Sequence, residues 1–231
     1  MADIMRRHVL LVDLDGTLTD PAEGIVGSFR RGVEATGRTA PPATELNWII
    51  GPPMRESFAA VLGGSADVDA ALAVYRDVYG TTGLFLATVY PGVPDALARL
   101  KAEGARLVLC TSKPIVYARR VLAHFGLASF FEGAYGAELD GRFDDKGELI
   151  AHILDERGFD PGDCVMWGDR RHDVAAALKN GIPTIGALWG YGGEAELTAA
   201  GAAVLCASPA EVPAAFRGLA REPVAPRSVA R

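Results

Sequence analysis

Short apolar runs alternate with longer amphipathic stretches along most of the chain. The first run, residues 9–12 followed by Leu14, has no polar alternation, which is typical of a strand buried on both faces of a parallel sheet. Similar short runs follow at 106–110, 130–136, 163–167, 182–187 and 203–206. Between them, apolar residues recur at helical spacing. Strands that alternate with helices predict an α/β fold with a doubly wound, Rossmann-like parallel sheet.

One long stretch, residues 20–88, interrupts this alternation and shows no strand pattern. Its apolar residues mark three helical segments, at about 22–36, 55–62 and 68–79. Because the stretch follows directly after the first strand, we expect an inserted α-helical cap over the edge of the sheet. The expected α/β core then comprises 1–19 and 89–220, and residues 221–231 are expected to form a disordered tail.

Composition argues against several classes of protein. The net charge of −6 disfavours nucleic acid or an anionic membrane surface as a partner. No apolar run reaches the ~18 residues that a membrane helix needs, and residues 1–7 contain no signal-peptide core. Cys110, Cys164 and Cys206 lie in or beside apolar runs without Cys-x-x-Cys spacing. They predict buried, reduced thiols in a cytoplasmic protein rather than a zinc site.

Two carboxylates, Asp13 and Asp15, stand where the first apolar run ends. In an extended chain their side chains point the same way. Two anions this close repel each other unless they share a cation or a proton. Asp-x-Asp-Gly also occurs in ordinary solvated turns, so this run alone leaves a turn and a metal or acid-base site equally open.

Later strand ends supply further polar groups. Thr111 follows the second predicted strand, Asp169 and Asp173 follow another, and Lys146 begins a helix between them. Because the carboxyl ends of parallel strands share one edge of a sheet, we expect these groups to meet in one crevice. Mg²⁺ prefers hard oxygen ligands, and phosphate is bound by hydroxyls, backbone N–H groups and cations. The set supplies both kinds of ligand.

Taken in chain order, these groups resemble the four motifs of haloacid dehalogenase superfamily phosphatases. The counterparts of the motifs are, in order, Asp13-x-Asp15-Gly-Thr-Leu, Thr111 at a strand end, Lys146 and Gly168-Asp169-x-x-x-Asp173. The resemblance covers about residues 8–215. Four motifs in the right order are far more specific than any one of them.

Local runs resemble one branch of this superfamily. The small helical insertion, with Ile50-Gly-Pro-Pro-Met, Thr111-Ser-Lys-Pro and Gly190-Tyr-Gly, is similar to the phosphoglycolate phosphatase and 5′-nucleotidase-like branch. One departure from the family pattern is the acidic pair Asp144-Asp145, which stands where the family often has Lys-Pro.

The resemblance implies a catalytic role for four residues. Asp13 would attack phosphorus and form an aspartyl-phosphate. Asp15 would protonate the leaving oxygen and later take a proton from the hydrolytic water. Thr111 would hold a phosphoryl oxygen, and Lys146 would neutralise charge on the phosphoryl group and on Asp13.

The resemblance also implies how metal and substrate are bound. Mg²⁺ would be the cofactor, held by the side chains of Asp13 and Asp169, by Asp173 directly or through water, and by the backbone carbonyl of Asp15. The implied phosphate- and substrate-binding residues, several of them acting through backbone N–H groups, are Gly16, Thr17, Arg55, Thr111, Ser112, Lys113 and Lys146.

Six residues near these motifs have both a functional and a purely structural interpretation: Arg55, Lys113, Arg170, His172, Trp189 and Tyr191. The first two could contact anionic groups of a substrate or be solvated. The pair inside the fourth motif could brace the metal loop or face solvent. The aromatic pair could stack on a base or pack beside the crevice.

The implied function is Mg²⁺-dependent hydrolysis of a small phosphomonoester, as in a phosphoglycolate phosphatase. A 5′-nucleotidase or a phosphosugar mutase on the same scaffold is the alternative. A dehalogenase needs neither Asp15 nor a metal, and a phosphonatase needs a cap lysine that residues 20–88 lack. A receiver-like signalling domain has no helical insertion after its first strand. We expect a cytoplasmic monomer or homodimer.

Overall fold

A parallel sheet lies at the centre of the protein, whose computed structural model describes residues 8–221. In chain order the strands are β1 (Val9–Val12), β2 (Thr19–Asp20), β3 (Thr88–Val89), β4 (Arg106–Pro114), β5 (Gly133–Ala137), β6 (Cys164–Gly168), β7 (Thr184–Ala187) and β8 (Val204–Cys206). Six of them pair in the order β5-β4-β1-β6-β7-β8. β1 pairs with β4 on one side and with β6 on the other, and all its residues are buried, which confirms the predicted interior strand.

Helices cover both faces of this sheet. In chain order they are α1 (Ala22–Ala35), α2 (Met54–Leu62), α3 (Ser65–Thr81), α4 (Val93–Ala102), α5 (Ile115–His124), α6 (Lys146–Arg157), α7 (Arg171–Lys179), α8 (Gly193–Ala200) and α9 (Val212–Arg221). Successive side chains of a strand point to opposite faces. Leu10 and Val12 pack in one apolar cluster with α4, α5 and α9, whereas Val9 and Leu11 pack in another with α6 and α7. This arrangement confirms the doubly wound α/β class.

The helices α1, α2 and α3 lie between two very short strands. β2 and β3 pair antiparallel, with Thr19 opposite Val89, so the chain enters and leaves this helical segment at neighbouring points. Strands of two residues carry no periodic signal, which is why the sequence predicted only helices between 20 and 88. Phe29 of α1 stacks on Phe58 of α2 with ring centroids 4.4 Å apart. Both rings belong to the same apolar cluster as one face of the sheet.

The other predicted elements are present, with shifts of a few residues at their ends. β4 differs most, because it continues to Pro114, whereas the predicted strand ends at Cys110. α9 ends at Arg221, the first residue of the predicted tail; residues 222–231, like 1–7, lie outside the described range. The three cysteines are buried and free, as predicted. Within residues 8–221, no helix combines the length and the hydrophobicity that crossing a membrane requires.

Candidate active site

Three carboxylates lie together at the carboxyl edge of the sheet. Asp13 directly follows β1, Asp169 directly follows β6, and Asp173 lies in the first turn of α7. One oxygen atom of each lies within 4.8 Å of the corresponding atoms of the other two. All three residues are buried, with Asp169 completely so. The predicted metal-binding side chains are therefore brought together as a cluster.

Burial and mutual repulsion disfavour the ionised form of the carboxylates in this cluster. Burial, together with the nearby carboxylates of Asp173 and Asp15, raises the pKa of Asp13 from 3.8 to about 6, although Lys146 opposes the shift. Burial and the charges of Asp173 and Asp13 hold the pKa of Asp169 well above its usual range. A bound divalent cation would relieve both effects.

Lys146 bridges two of these carboxylates from the start of α6. Its Nζ donates to Asp13 Oδ1 over 2.8 Å and also to Asp173 Oδ1. Burial lowers the pKa of Lys146, but the attraction of the two carboxylates outweighs burial and raises it above its usual value. The acidic residue before it, Asp145, is the N-cap of α6 and accepts from the Gly147 N–H over 2.6 Å. The departure from the family pattern thus has a local structural role.

Lys113 lies at the bottom of the crevice and not on the surface. Its Nζ pairs with Asp15 Oδ2, and its side chain is 3% exposed. The same nitrogen lies 5.0 Å from the ring centre of Tyr79 in α3. The second carboxylate oxygen, Asp15 Oδ1, is buried and has no hydrogen-bond partner within the described structure. Thr111 lies beside this pair, and its Oγ1 accepts from the Lys113 N–H over 3.2 Å.

Gly16 and Thr17 form the turn that follows β1. Their N–H groups donate to the carbonyls of Thr19 and Leu14, so these donors are already used within the turn and not directed at a phosphate. The Thr17 hydroxyl instead donates to Asp169 Oδ1 over 3.2 Å. The Thr17 side chain therefore supports Asp169, and the phosphate contact of these two residues stays a prediction. The sequence carried no signal for this because the contact spans 152 positions.

We expect Gly16→Ala to disturb the carboxylate cluster. Gly16 has φ +87°, and a Cβ at this position would overlap the Asp169 carboxylate. Strain and overlap together should lower the unfolding free energy by about 2–4 kcal/mol in urea denaturation with EDTA. Gly37→Ala is the matched control, because Gly37 has φ +79° but open space around it; its cost should be about 1–2 kcal/mol. Equal losses in both variants would contradict the proposed overlap.

Residues at the fourth motif divide into bracing and exposed groups. Arg170 is buried, and its Nε donates to Glu196 Oε1 over 2.9 Å. Its backbone N–H donates to Asp173 Oδ2 over 2.9 Å, so it braces the cluster. His172 is exposed, and burial of part of its ring, with the neighbouring arginines, lowers its pKa. Arg170 therefore braces the metal loop, and His172 faces solvent, which were the two alternatives given for this pair.

The aromatic pair after β7 packs beside the crevice. Trp189 Nε1 donates to the Thr17 carbonyl over 3.0 Å, and the Tyr191 hydroxyl pairs with Asp20. The Tyr191 N–H donates to Asp169 Oδ2 over 2.8 Å. Both residues thus connect the β7 loop to the turn after β1, which favours the packing interpretation over stacking on a base.

A pocket of about 370 Å³ opens above Asp13 and Asp15, between the sheet edge and the helical segment. Three tyrosines line it: Tyr75, Tyr79 and Tyr117. The predicted substrate residues Thr111, Ser112, Lys113, Lys146 and Arg55 also line it. Arg55, however, pairs with Asp69 over 2.7 Å, and both side chains are more than half exposed.

The mouth of this pocket is acidic. Glu138, Asp140 and Asp144 line it on the side of the sheet. Burial and repulsion by Glu56 and Asp140 raise the pKa of Asp144, although Arg76 and Arg55 oppose the shift. The other nearby cation, Arg76, donates to the Leu139 carbonyl over 2.8 Å.

The chain is similar to known proteins over most of its length. The sequence model of a family described as haloacid dehalogenase-like hydrolase matches residues 10–187. A 5′-nucleotidase of Pseudomonas aeruginosa is 41% identical over 196 residues, which are 84% of this chain and 89% of that protein. A phosphoglycolate phosphatase of Cupriavidus necator is 33% identical over 210 residues, 89% of this chain and 91% of that protein.

The chain is also similar to a protein named as a tyrosine kinase and to a predicted phosphatase of known crystal structure. The tyrosine-protein kinase PtkA of Mycobacterium tuberculosis is 42% identical over 186 residues, 80% of this chain; the match spans 63% of that longer protein. A crystal structure described as a predicted phosphatase from Clostridium acetobutylicum has a TM-score of 0.87 at 36% identity, covering 91% of this chain and 98% of that one.

Proposed function

The chain belongs to the haloacid dehalogenase-like hydrolase family, and on that premise we propose that it is a Mg²⁺-dependent phosphatase of a small phosphomonoester. The observation that carries the proposal is the contact of Lys146 with Asp13 at the floor of the pocket, beside two further buried carboxylates. A nucleophile, a cation and a candidate metal cluster are thus adjacent, as phosphoryl transfer requires.

The residues present fit a Mg²⁺ ion. Three buried carboxylate oxygens within 4.8 Å of one another offer the hard ligands that Mg²⁺ prefers. Burial and mutual repulsion raise the pKa values of Asp13 and Asp169, and a bound cation would oppose both effects. Asp13, Asp169 and Asp173 would hold the ion together with the backbone carbonyl of Asp15. When bound, it would offset the charge between the carboxylate nucleophile and the phosphoryl group.

In the proposed mechanism Asp13 attacks phosphorus with Oδ2, because Oδ1 accepts the hydrogen bond from Lys146. The bond to the leaving oxygen breaks, and Asp15 gives that oxygen a proton. A water molecule then attacks the aspartyl-phosphate and loses a proton to Asp15, which releases phosphate and restores Asp13. Lys146 stays charged through both steps and stabilises the anionic oxygens.

We further propose that residues 20–88 are a cap on a core of 1–19 and 89–220. The pocket supports this division, because its walls come from α2 and α3 on one side and from the sheet edge on the other. A cap of this kind would exclude water from the aspartyl-phosphate until the leaving group departs.

The pocket favours a nucleoside monophosphate over phosphoglycolate as the substrate. The carboxylate of phosphoglycolate would face an acidic mouth, while Arg55 and Arg76 are engaged by Asp69 and the Leu139 carbonyl. A nucleoside is uncharged, and its base suits a pocket lined by three tyrosines. The similarity to a 5′-nucleotidase supports the same choice.

A substrate panel tests the proposal. Purified protein with Mg²⁺ is incubated with AMP, CMP, phosphoglycolate, glucose 1-phosphate and phosphotyrosine, and inorganic phosphate is measured. We expect kcat/KM for a nucleoside monophosphate to exceed that for phosphoglycolate at least about tenfold, which corresponds to about 1.4 kcal/mol. Excess EDTA should stop the reaction, and added Mg²⁺ should restore it.

Each alternative outcome has a definite meaning. A preference for phosphoglycolate would overturn the nucleotide assignment and leave the phosphatase proposal intact. Isomerised sugar phosphate without free phosphate would identify a mutase. Full activity in EDTA would refute the role of the carboxylate cluster in binding a metal.

A further inference from the structure

A buried arginine connects the helical segment to the loop that carries the carboxylate cluster. Arg170 Nη1 donates to the carbonyl of Ile50, a residue 120 positions away on the turn that precedes α2. Its Nε donates to Glu196 of α8 over 2.9 Å. The residue is 8% exposed, so both bonds are largely shielded from water and are charge-assisted.

The main chain of the same residue holds Asp173. The Arg170 N–H donates to Asp173 Oδ2 over 2.9 Å, while Lys146 donates to Oδ1. Glu196 Oε1 also accepts from the Arg171 N–H over 2.8 Å, which fixes the main chain on the other side of the guanidinium. Movement of the Arg170 side chain would therefore shift its backbone N–H, and with it the Asp173 carboxylate that accepts from this N–H.

The guanidinium lies directly against the main chain of the turn. Gly51 has φ +110°, and a Cβ there would lie 3.4 Å from both Cγ and Nη1 of Arg170. Such a Cβ would be in ordinary van der Waals contact, so it is the positive φ, which a residue with a side chain rarely adopts, that favours glycine here. The turn and the Arg170 side chain are therefore in direct contact, joined by the hydrogen bond to Ile50.

We propose that Arg170 is a positioning residue that makes the geometry of Asp173 depend on the place of the 49–53 turn. With the turn seated on the guanidinium, the Asp173 carboxylate is oriented toward Asp13 and Asp169. When the turn moves away, Arg170 loses its acceptor and Asp173 loses a fixed donor. The catalytic consequence rests on the proposed function, but the structural coupling does not.

A second arginine that bonds to the helical segment offers a control for the loss of such a bond. Arg120 of α5 donates to the Gly80 carbonyl at the end of α3 over 2.6 Å. This bond is exposed, and Arg120 is not among the residues that line the pocket. Arg120→Ala therefore removes a similar bond to the helical segment without touching the carboxylate cluster.

Hydrogen exchange of the metal-free protein tests the structural half of the proposal. The amides of Ile49 and Ile50 donate to the Leu46 and Asn47 carbonyls, so their exchange reports opening of the turn. We expect Arg170→Ala to speed their exchange at least tenfold. Arg170→Lys, which keeps a cation that can reach the carbonyl but not both acceptors, should give an intermediate rate. Arg120→Ala should leave these amides unchanged.

The affinity for Mg²⁺ tests the coupling between the turn and Asp173. It is measured from the rise in melting temperature as Mg²⁺ is added. Arg170→Ala should weaken Mg²⁺ binding about tenfold, Arg170→Lys less, and Arg120→Ala not at all. In turnover assays the Arg170 variants should lose kcat at saturating substrate, with recovery at high Mg²⁺. A purely structural contact would not produce recovery by metal.

Unchanged exchange at the two amides would overturn the contact, and faster exchange with unchanged Mg²⁺ binding would overturn the coupling. If Arg170→Ala does not fold, Glu196→Gln, which weakens the same network and removes no cation, undergoes both measurements with the same criteria. A wild-type protein without phosphatase activity would refute the proposed function, while exchange and metal titration would still decide this inference.

Discussion

Asp13→Asn is expected to abolish phosphate release, with a fall in kcat on the order of 10⁴-fold or more, because an amide oxygen cannot form the acyl-phosphate. The substitution keeps the shape of the side chain, and Lys146 can still donate to the amide oxygen at the position of Oδ1. Phosphate release with and without Mg²⁺ measures the effect. A rate within tenfold of the wild type would remove Asp13 as the nucleophile.

The same variant is expected to stay folded. The pKa of Asp13 is raised from 3.8 to about 6, so the folded protein holds this proton more tightly than the unfolded chain does. The contribution of Asp13 to metal-free stability therefore falls as the pH rises through this window. Asparagine has no such titration, so the melting temperature of the variant at pH 7 in EDTA should equal or exceed that of the wild type. Asp155→Asn, at an exposed position of α6, is the control for both measurements.

Lys146→Met is expected to have the largest effect on stability. The substitution removes the cation between Asp13 and Asp173 and leaves both carboxylates buried without it. Loss of one partner of such a buried group typically costs about 3–5 kcal/mol, and we expect this loss in urea denaturation with EDTA. Turnover should fall about 10³-fold, because the charge that we propose stabilises the transition state is removed.

Lys179→Met provides the matched comparison for this prediction. Lys179 pairs with Asp145 over 3.1 Å, but both side chains are more than half exposed. Its loss should cost less than about 1 kcal/mol. Saturating Mg²⁺ should lessen the loss of stability in Lys146→Met, because it neutralises the same carboxylates. Equal losses in the two lysine variants would contradict the buried ion pair.

The sheet and the carboxylate cluster could be predicted from the sequence for one physical reason. The carboxyl ends of neighbouring parallel strands share an edge, so the pattern along the chain already places Asp13 near Asp169. The short apolar runs identified the strands, and the period of two along an extended chain predicted that Asp13 and Asp15 point the same way. To predict the place of Lys146, it was enough to assume that its helix begins at the same edge of the sheet.

Contacts between distant side chains could not be predicted in this way. Lys113 had been left between a substrate contact and the surface, and its pairing with Asp15 depends on the unpredicted continuation of β4 to Pro114. The support that Thr17 gives Asp169, and the bond from Arg170 to Ile50, join positions more than 100 residues apart. Such contacts depend on how separate elements pack, and no local periodicity encodes them.

The pairing of β2 with β3 has a consequence for how far the segment between them can vary. Thr19 and Val89 are paired neighbours. The segment that contains α1 to α3 is therefore a long insertion whose two ends are held together by the β2–β3 pair. Lengthening or replacing a segment closed in this manner adds little loop entropy and leaves the register of the sheet untouched. The segment can therefore vary in length or sequence while the sheet keeps its register, provided that the turn at 49–53, which supplies the acceptor of Arg170, is kept.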